Sequence, residues 1–595
     1  LTGRDPPRTG AERGDPPRDL APGVSPPTTL EVADGQAVIT PVLGDVGDRS
    51  FGKMMRWAAD EGALDEDLHD VSWSTGLQGL AAGGATPDQL SRGLAQLLAF
   101  FRGKTKHELQ ERAVAEKLLL APLYTTADLL VDPQLQGREY WREVGGRTYP
   151  GPFALLSRTP IRHRAPAPEL GADQHLLESP RRPAAPAPTM TEPRPDALSG
   201  IKVADFAWVG AGPLVGKALA DYGATVVRIE SETRLDVLRV IPPFKDNVPG
   251  INRGHPPANF NTSKLGLALN LATEHGRSSA RRLIDWSDVV LESFTPGTMA
   301  RFGFDYETLS KERPDLIMFS STLRGQTGDE RAYTGFGAQG AALAGLGAIT
   351  GWPDRPPVGP HGAYTDFVSP RYGIAALVAA IRSRQRTGQG QYIDHSQVES
   401  AIHFLEPLVL DYTANGRVAG PAGHDSDRAC PHGVYQTAGV ERYVAMAVET
   451  PQQWHALRSL ASIEGFGDAA FDDLGTRIIQ RDTLDAILRP WCRDQDPLAL
   501  ERRLTDAGIP AHIVARPTDL YDDTQLAHRG FFVTLDHQEI GLVPLDGLPT
   551  QFSETPGRLR NAGPCLGQDT EYVLREILGM ASEEIAELAS VGALS

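Results

Sequence analysis

Residues 201–231 read IKVADFAWVGAGPLVGKALADYGATVVRIES, and this stretch decides the fold class. Its first seven residues form a continuous apolar run that predicts a buried strand, and TVVRIES at its end predicts a second one. Between them, a glycine-containing turn leads into a segment whose apolar residues have helical spacing. Strand, helix and strand together predict a βαβ unit, which joins two parallel strands through a right-handed crossover.

The same alternation continues towards the C-terminus. SDVVLESF (287–294) and PDLIMFSS (314–321) have the apolar character of buried strands, and RSSARRLIDW (277–286) has the spacing of a helix. Strands that alternate with helices are typical of a parallel sheet covered by helices on its faces. We therefore predict an α/β fold with a Rossmann-like parallel-sheet domain.

The glycines of the first βαβ unit leave two interpretations open. Gly210, Gly212 and Gly216 follow the first strand, and Glu230 closes the second strand twenty residues after Gly210. This spacing is close to the dinucleotide-binding fingerprint, which would indicate an NAD-dependent oxidoreductase. The simpler interpretation is that the glycines form a tight strand-to-helix turn, with Pro213 in the first turn of the helix.

Length and composition exclude several classes of protein. With 595 residues, 41% of them hydrophobic and 23% charged, the chain is long enough for two to four globular domains. A net charge of −18 disfavours binding to nucleic acid or to an anionic membrane surface. Three distant cysteines indicate neither a disulfide framework nor a zinc site, and no apolar run reaches the length of a membrane span. We expect a cytoplasmic protein without a structural metal.

Proline-rich stretches divide the chain. Residues 1–38 are predicted to be disordered, and residues 162–197 are predicted to form a Pro/Ala-rich linker. The block between them, residues 39–161, is predicted to be mostly helical, with Thr86 and Pro87 marking the start of a helix. The chain begins with Leu rather than Met, which suggests a fragment or a trimmed chain.

An internal repeat is the strongest organisational feature. Six residues of the first block recur in the same order near the C-terminus with a constant offset of 391 positions, as from Arg138 to Arg529. The six are Asp128, Leu129, Asp132, Gln134, Leu135 and Arg138, and they recur as Asp519, Leu520, Asp523, Gln525, Leu526 and Arg529. We interpret this series as a tandem duplication in which the first copy has lost its front half.

The segment around Asp366 carries the principal candidate for a catalytic group. In GPHGAYTDFVSPRYGIAALVAAIRSRQRTGQG, Ser369 and Pro370 predict the start of a helix, and Gly388 predicts its end. Asp366 then lies just ahead of the helix, where backbone donors and the helix N-terminus would keep a carboxylate ionised. A lone Asp in such a place is only seldom catalytic, so its position does not by itself assign a role.

Five motifs in order resemble those of the family III coenzyme A transferases, the CaiB/BaiF type. The resemblance covers about residues 198–594. It is carried by LSGIKVADFAWVGAGPLVGKALADYGATVVRIES, NTSKLGLALNLATEHGR, DVVLESFTPGTMARFGFDYETL, SSTLRGQTG and RTGQGQYIDHSQVESA. Residues 39–177 resemble the rear half of the same module. The resemblance implies CaiB/BaiF-type architecture: a catalytic domain over 198–420, a smaller α+β domain over 421–505 and a C-terminal return segment over 506–595.

The resemblance also implies a mechanism and a site. Asp366 matches the nucleophilic aspartate of the family, which takes the acyl group of a thioester as a mixed anhydride and then carries CoA as an aspartyl thioester. Ala211 and Gly212 match the turn that lines the CoA tunnel, and Arg228, Lys264 and Arg301 match basic positions. Coenzyme A is then a substrate, together with an acyl donor and a carboxylic acid acceptor, and no prosthetic group is expected.

Departures from the family pattern leave alternatives open. Gly335-Phe336-Gly337 replaces the usual Gly-Tyr/His-Asp, and Phe336 disfavours a racemase or isomerase, which would need a histidine there for proton transfer. Thr295 replaces an arginine of the family, which puts CoA phosphate binding in doubt. A non-catalytic CoA-binding relic is a further alternative. Family members form interlocked dimers, so the resemblance implies an interlocked homodimer or an intramolecular pseudo-dimer.

Overall fold

A computed structural model describes residues 29–39, 45–73, 84–163, 165–178, 196–360 and 362–595. We divide it into an N-terminal unit (29–163), a large-sheet domain (196–420), which is called the catalytic domain after the expectation stated above, and a C-terminal unit (421–595). Half of the predicted linker lies outside the described residues, and its described part contains a short 3-10 helix over Gln174–Glu178. In the described ranges, no helix combines the length and the apolarity needed to cross a bilayer.

The N-terminal unit combines a three-stranded antiparallel sheet with helices and a hairpin. Its elements in chain order are β1 (Leu30–Val32), β2 (Gly35–Ile39), α1 (Asp45–Asp60), α2 (Pro87–Phe101), α3 (Lys106–Glu116), β3 (Leu120–Pro122), α4 (Thr126–Val131), α5 (Pro133–Gly137), β4 (Arg142–Val144), β5 (Arg147–Tyr149) and β6 (Ala154–Leu156). The Thr86 side chain accepts a hydrogen bond from the Gln89 amide, so the predicted start of this helix is confirmed.

One prediction for this unit is corrected, and strands are added to another. Strand β1 and all but the last residue of β2 lie within residues 1–38, so the prediction of disorder is wrong for residues 30–38, while residues 1–28 lie outside the described residues. The block of residues 39–161 contains far more helix than strand, but it also includes β3 and the hairpin β4–β5, which were not predicted. Strands of three to five residues are too short to show a reliable period, and their pairing depends on partners distant in the chain.

The catalytic domain is built on a seven-stranded sheet with the order β6-β12-β11-β10-β7-β8-β9. Its elements are β7 (Lys202–Phe206), α6 (Ala211–Asp221), β8 (Thr225–Glu230), α7 (His255–Phe260), β9 (Leu265–Ala268), α8 (Glu274–Trp286), β10 (Val289–Glu292), α9 (Thr298–Phe302), α10 (Tyr306–Glu312), β11 (Ile317–Thr322), α11 (Gly337–Leu343), α12 (Tyr364–Thr387), β12 (Tyr392–Ser396), α13 (Gln397–Ile402) and α14 (Glu406–Asn415). Six strands are parallel, and β6 joins β12 in the antiparallel direction.

The apolar runs of the sequence become the centre of this sheet. Every residue of β10 and β11 is buried, because helices cover both faces of the sheet. The βαβ unit of residues 201–231 is confirmed as β7, α6 and β8, and the strands predicted in 287–294 and 314–321 are confirmed as β10 and β11. The α/β class with a mostly parallel sheet therefore holds.

The C-terminal unit contains a second three-stranded antiparallel sheet, β13-β14-β15, and a hairpin. Its elements are β13 (His432–Gln436), β14 (Tyr443–Ala447), α15 (Pro451–Ala461), α16 (Leu474–Ile479), α17 (Arg481–Arg493), α18 (Pro497–Asp506), β15 (Ala511–Ile513), α19 (Pro517–Tyr521), α20 (Thr524–His528), β16 (Phe532–His537), β17 (Gly541–Asp546), α21 (Thr570–Tyr572) and α22 (Ser582–Ser590). Its last part returns to the catalytic domain, where the Asp569 carboxylate accepts from the Gly266 amide at 2.8 Å.

The N-terminal unit and the catalytic domain share one hydrophobic core. Leu97 and Tyr124 of the N-terminal unit belong to the same buried cluster as Leu343 and Ile402 of the catalytic domain. Strand β6 also extends the large sheet, with Leu155 opposite Asp394. The N-terminal unit is therefore an integral part of the body that holds the candidate site.

Candidate active site

Asp366 lies in the first turn of α12 and is only 6% exposed. The helix begins at Tyr364, so the predicted start at Ser369 and Pro370 is wrong, while its end at Gly388, in a left-handed conformation, is confirmed. Ser369 is buried, and its hydroxyl donates to the Thr365 carbonyl at 2.7 Å, as serines inside helices do. The helix therefore extends upstream of its strongest start signal and carries Asp366 with it.

The carboxylate of Asp366 is held by backbone and amide donors. The Gly337 N–H, at the start of α11, donates to Asp366 Oδ2 at 3.1 Å. Burial raises the pKa of Asp366 to about 6, and the hydrogen bonds from Gly337 and from the Gln397 side chain partly oppose that rise. This pKa is above that of an ordinary aspartate, but the carboxylate is still mostly ionised at pH 7.

Two glycines are required where the chain approaches this aspartate. A Cβ atom at Gly210 would lie 2.9 Å from the Asp366 Cβ. A Cβ atom at Gly337 would lie 2.8 Å from the Asp366 backbone nitrogen and closer still to the Ala363 carbonyl. Glycine at position 337, where the family pattern has Asp, thus has a steric reason. Helices α11 and α12 contact each other here through their backbones, which leaves no room for a side chain.

The dinucleotide interpretation of the same glycine pattern receives no support from the structure. Glu230, the residue that would hold a ribose, is 4% exposed, and its two oxygens accept from Arg239 at 2.8 and 2.6 Å. A Cβ atom at Gly216 would lie 2.8 Å from Lys264 Nζ. These glycines therefore serve the packing of α6 on the sheet.

The basic residues expected to bind CoA fall into two groups. Arg228 is 1% exposed, donates to the Ala207 carbonyl at 2.6 Å and pairs with Asp236. Lys264 is fully buried, and burial lowers its pKa to about 8 although Asp205 lies at 2.7 Å. Arg301, at the end of the short helix α9, is exposed to solvent. Arg301 alone of the three can reach a phosphate without rearrangement of the interior.

Lys264 instead supports the turn that was expected to line the CoA tunnel. Its ammonium donates to the Pro213 carbonyl at 2.9 Å and to Asn261 Oδ1 at 3.0 Å. Ala211 and Gly212 form the first turn of α6 beside this contact, and a Cβ atom at Gly212 would lie 3.1 Å from the Ser293 Cβ. The structure brings these residues together at the carboxyl end of β7.

An aromatic pair at the same edge of the sheet was missed by the sequence argument. The rings of Trp208 and Phe294 meet edge to face with centroids 5.6 Å apart, and the Arg234 guanidinium lies 5.8 Å from the Trp208 ring. Ser293 joins the two strand ends, because its hydroxyl accepts from the Trp208 amide at 2.9 Å. The available signal was their position just after β7 and β10, since ligands of parallel sheets bind at the carboxyl ends of strands.

A second buried carboxyl group was also missed. Glu292, the last residue of β10, is 3% exposed and accepts from the Phe294 amide at 2.8 Å and from the Gln326 side chain at 3.2 Å. Burial raises its pKa to about 7, and the charge of Asp394 acts in the same direction. A glutamate inside the apolar run VVLES was the sequence signal for such a group.

The loop that holds Gln326 is itself held by the N-terminal unit. Gln134 donates to the carbonyls of Arg324 and Thr327, each at 2.8 Å. Arg138 donates to Thr327 Oγ1 at 2.6 Å and to Asp394 at 2.7 Å. It also pairs with Glu399, and Asp132 binds the Arg324 guanidinium at 2.6 Å. Gln134 and Arg138 of the N-terminal unit therefore position a loop of the catalytic domain.

Comparison with known proteins places these features in a family. The chain matches the model of CoA-transferase family III over residues 18–174 and 198–570. It is 32% identical to the succinyl-CoA–L-malate CoA-transferase beta subunit of Chloroflexus aurantiacus over 405 residues, which are 66% of this chain and 97% of the relative. It is 30% identical to the succinate–glutarate CoA-transferase of Agrobacterium fabrum over 394 residues, 64% of this chain and 96% of the relative.

Two further comparisons concern architecture. A probable CoA-transferase of Mycobacterium tuberculosis is 26% identical over 569 residues, which are 91% of this chain but 67% of the relative. The crystal structure of a CaiB/BaiF family protein from Brucella suis aligns with a TM-score of 0.60 at 30% identity, over 64% of this chain and all of that protein. The match to most of the Mycobacterium relative includes both the N-terminal unit and the complete module.

Proposed function

The chain belongs to CoA-transferase family III, and on that premise we propose that it transfers coenzyme A from an acyl-CoA thioester to a carboxylic acid with Asp366 as the nucleophile. The observation that carries this proposal is the buried carboxylate of Asp366 in the first turn of α12. The Gly337 amide donates to its Oδ2 atom at 3.1 Å, and the turn at Gly210, which has no side chain, packs against it. A carboxylate needs no general base to attack a thioester.

The reaction proceeds through four balanced exchanges at carbonyl carbons. Asp366 attacks the thioester carbonyl, the C–S bond breaks, and an acyl-aspartyl anhydride and CoA thiolate result. The thiolate then attacks the aspartyl carbonyl, which releases the donor acid and leaves an aspartyl-CoA thioester. The acceptor carboxylate attacks this thioester to give a new anhydride, and the returning thiolate takes the new acyl group and frees Asp366. No water enters any step, so a closed site preserves the energy of the thioester.

The closed wall of the site is assigned to α11 and the glycines around it. Helix α11 lies in the glycine-rich segment from Gly335 to Gly347, and it is mostly buried and packs against α12. Tyr124 of the N-terminal unit donates its amide to the Ala342 carbonyl at 3.0 Å, so this unit covers the outer side of α11. Exclusion of water then depends on both units.

We assign CoA to the carboxyl ends of β7 and β10. The thioester arm passes Ala211 and Gly212, whose turn leads to Gly210 and Asp366. Trp208 and Phe294 offer an aromatic surface for the adenine ring, and the exposed cations Arg234 and Arg301 suit the phosphates. The buried cations keep a supporting role: Lys264 fixes the turn at Pro213, and Arg228 fixes the end of β7 at Ala207.

Short dicarboxylic acids are the first substrate class to test. The relatives are named for the transfer of CoA among succinate, malate and glutarate. Because identity is about 30% and substrate choice depends on a few side chains, we propose the class and not the particular acid. Succinyl-CoA is therefore the donor for the first assay.

We also propose that the chain contains two copies of the module's rear half and is an intramolecular pseudo-dimer. Two segments support this: β1 to β5 and β13 to β17 have the same sheet order, and each places its third strand before two short helices and a hairpin. Ala37 pairs with Pro122 in one sheet as Val444 pairs with Ile513 in the other. The domain limits 198–420, 421–505 and 506–595 belong to the same proposal.

Trapping of the intermediate tests the proposed chemistry. The wild-type chain is incubated with succinyl-CoA, treated with hydroxylamine and analysed by peptide mass spectrometry. The expected result is a hydroxamate on Asp366 and, in the same assay, loss of transfer in Asp366→Asn but not in the exposed control Asp482→Asn. Modification of another residue, or none in an active preparation, would contradict the assignment.

A further inference from the structure

Val209 has an unusual backbone conformation in the turn between β7 and α6. Its φ angle is 65°, in the left-handed region, which β-branched residues adopt least readily of all. A residue with a Cβ atom is disfavoured there by roughly tenfold in population. The next residue is Gly210, whose bare Cα packs against Asp366. Strain of this kind persists only where the surrounding structure enforces it, and it concentrates at functional sites.

Side chains hold the backbone of this turn in place. The Val209 amide donates to both carboxylate oxygens of Asp236, at 3.1 Å each. One residue earlier, the Ser293 hydroxyl accepts from the Trp208 amide at 2.9 Å and donates to the Trp208 carbonyl at 3.1 Å. Asp236 is therefore the side chain that binds the strained residue itself.

Asp236 is in turn fixed in the interior. It is fully buried and pairs with Arg228, whose guanidinium also donates to the Ala207 carbonyl at 2.6 Å. Its Oδ1 atom accepts a further hydrogen bond from the Leu238 amide at 3.0 Å. Because these contacts leave the carboxylate no freedom to rotate, its position determines where the Val209 amide lies.

We propose that Asp236 is a positioning residue for CoA transfer, which keeps Gly210 against Asp366 by holding the turn in its left-handed conformation. The turn covers one side of the carboxyl group closely. A Cβ atom added at Gly210 would lie 3.1 Å from Cγ and 3.4 Å from Oδ2 of Asp366. If Val209 returned to a right-handed or extended conformation, the chain would leave the turn in another direction and this cover would be lost. The inference rests on the proposed role of Asp366 as the nucleophile.

Loss of this cover should expose the aspartyl-CoA thioester to water. In hydrolysis, a water oxygen bonds to the aspartyl carbonyl carbon and the C–S bond breaks. CoA then leaves as the thiol with one proton of the water, the second proton goes to solvent, and the carboxylate of Asp366 is restored. Transfer instead passes CoA to the acceptor acid, so free thiol distinguishes hydrolysis from transfer. A purely structural side chain would change the amount of active protein and not this ratio.

A double-mutant cycle on the full chain tests the proposal. Asp236→Asn keeps the size of the side chain but places an NH₂ group against other donors. The kcat/KM for transfer from succinyl-CoA should then fall about tenfold, and the share of CoA released as free thiol should rise. In a Val209→Gly background the same substitution should cost less than about twofold, because glycine adopts the left-handed conformation without strain. Circular dichroism melting shows which variants are folded.

Val209→Ala is the matched control for the glycine. It removes the same two methyl groups but keeps the Cβ atom that disfavours the left-handed conformation, so Asp236→Asn should retain most of its effect in this background. Equal rescue by alanine and glycine would overturn the proposal, as would an undiminished effect of Asp236→Asn in the glycine background. If Asp236→Asn unfolds the chain, restored folding in the glycine background supports the proposal. Unfolding in both backgrounds overturns it, because Asp236 then serves only the ion pair with Arg228.

Labelling of wild-type Asp366 by hydroxylamine is measured first, which separates the two proposals. A wild-type chain that is not labelled there refutes the proposed chemistry and, with it, a role of Asp236 in transfer. A labelled wild-type chain in which positions 209 and 236 are not coupled refutes only the role of Asp236.

Discussion

At the scale of the residue, the behaviour of the site depends on how a buried carboxylate is stabilised. Asp366 has no cation in hydrogen-bond contact among the described residues, and its donors are the Gly337 amide and the Gln397 side chain. Neutral donors stabilise an anion less than an ion pair would, so burial dominates and its pKa rises. A more weakly stabilised carboxylate is also a better nucleophile, which suits the proposed attack.

The pH dependence of transfer follows from this acidity. Only ionised Asp366 can attack, and its pKa is raised to about 6, so kcat/KM should fall about tenfold per pH unit below pH 6 and be level above pH 7. The measurement is a pH–rate profile with succinyl-CoA and an acceptor that is ionised throughout. A profile that stays level down to pH 4.5, in protein shown to be folded, would contradict the raised pKa of Asp366.

The same group should make the active enzyme less stable than a neutral variant. A folded-state pKa of about 6, against 3.8 for an ordinary Asp, means that stability falls as pH rises from about 4 to 6, because the folded protein must then ionise a buried acid. The shift corresponds to at most about 3 kcal/mol at neutral pH. Asp366→Asn should therefore melt higher than wild type at pH 7.5, and the difference should vanish at pH 4. If the difference in melting temperature were the same at both pH values, the stabilisation by Asp366→Asn would have a cause other than ionisation of the carboxyl group.

At the scale of the element, the contact between α11 and α12 controls the site. Both helices bring backbone, not side chains, to the point of contact, and this closeness places the Gly337 amide on Asp366. Small residues at a helix contact allow such an approach. The start of α12 is set by this packing, which explains why the capping signal at Ser369 failed to predict it.

A single methyl group should disrupt this contact. Gly337→Ala places a Cβ against the Ala363 carbonyl and the Asp366 amide, so the helices must separate; we expect a loss of about 1–3 kcal/mol in stability and at least a tenfold loss in kcat. Urea unfolding and transfer assays measure the two effects. Gly52→Ala is the matched control, because its Cβ would meet nothing within 4 Å and the substitution favours helix α1. Normal activity in Gly337→Ala would show that the contact is not needed.

At the scale of the whole molecule, the N-terminal unit completes the catalytic domain. It contributes strand β6 to the large sheet, part of a common core, and the residues that hold the loop beside Gln326. Arg138 is the most consequential of the residues in these contacts. In the described contacts it is the one cation that the N-terminal unit places against Asp394 and Glu399. The N-terminal unit is therefore a structural part of the domain that holds the candidate site.

The contribution of Arg138 to stability can be measured with a matched pair of substitutions. Arg138→Ala leaves two buried carboxylates without their partner and should cost about 3–5 kcal/mol in the free energy of unfolding. Arg529→Ala, at the corresponding exposed position, should change that energy by less than about 0.5 kcal/mol. Chemical denaturation of the two full-length variants gives the comparison. Equal effects would mean that Arg529 is also held in a stabilising contact in the isolated chain.

Local sequence alone determined the βαβ unit, the two further buried strands, the capping of α2 at Thr86 and the end of α12 at Gly388, because apolar period, caps and left-handed glycines act within a few residues. It also carried the family motifs and the repeat. Tertiary structure alone decided that Arg228 and Lys264 are interior supports, that α12 begins before Asp366, that the aspartate is weakly acidic, and that one copy of the repeat is buried while the other is exposed. Each of these outcomes depends on desolvation and on contacts with residues up to several hundred positions away. Neither factor can be inferred from the local sequence pattern.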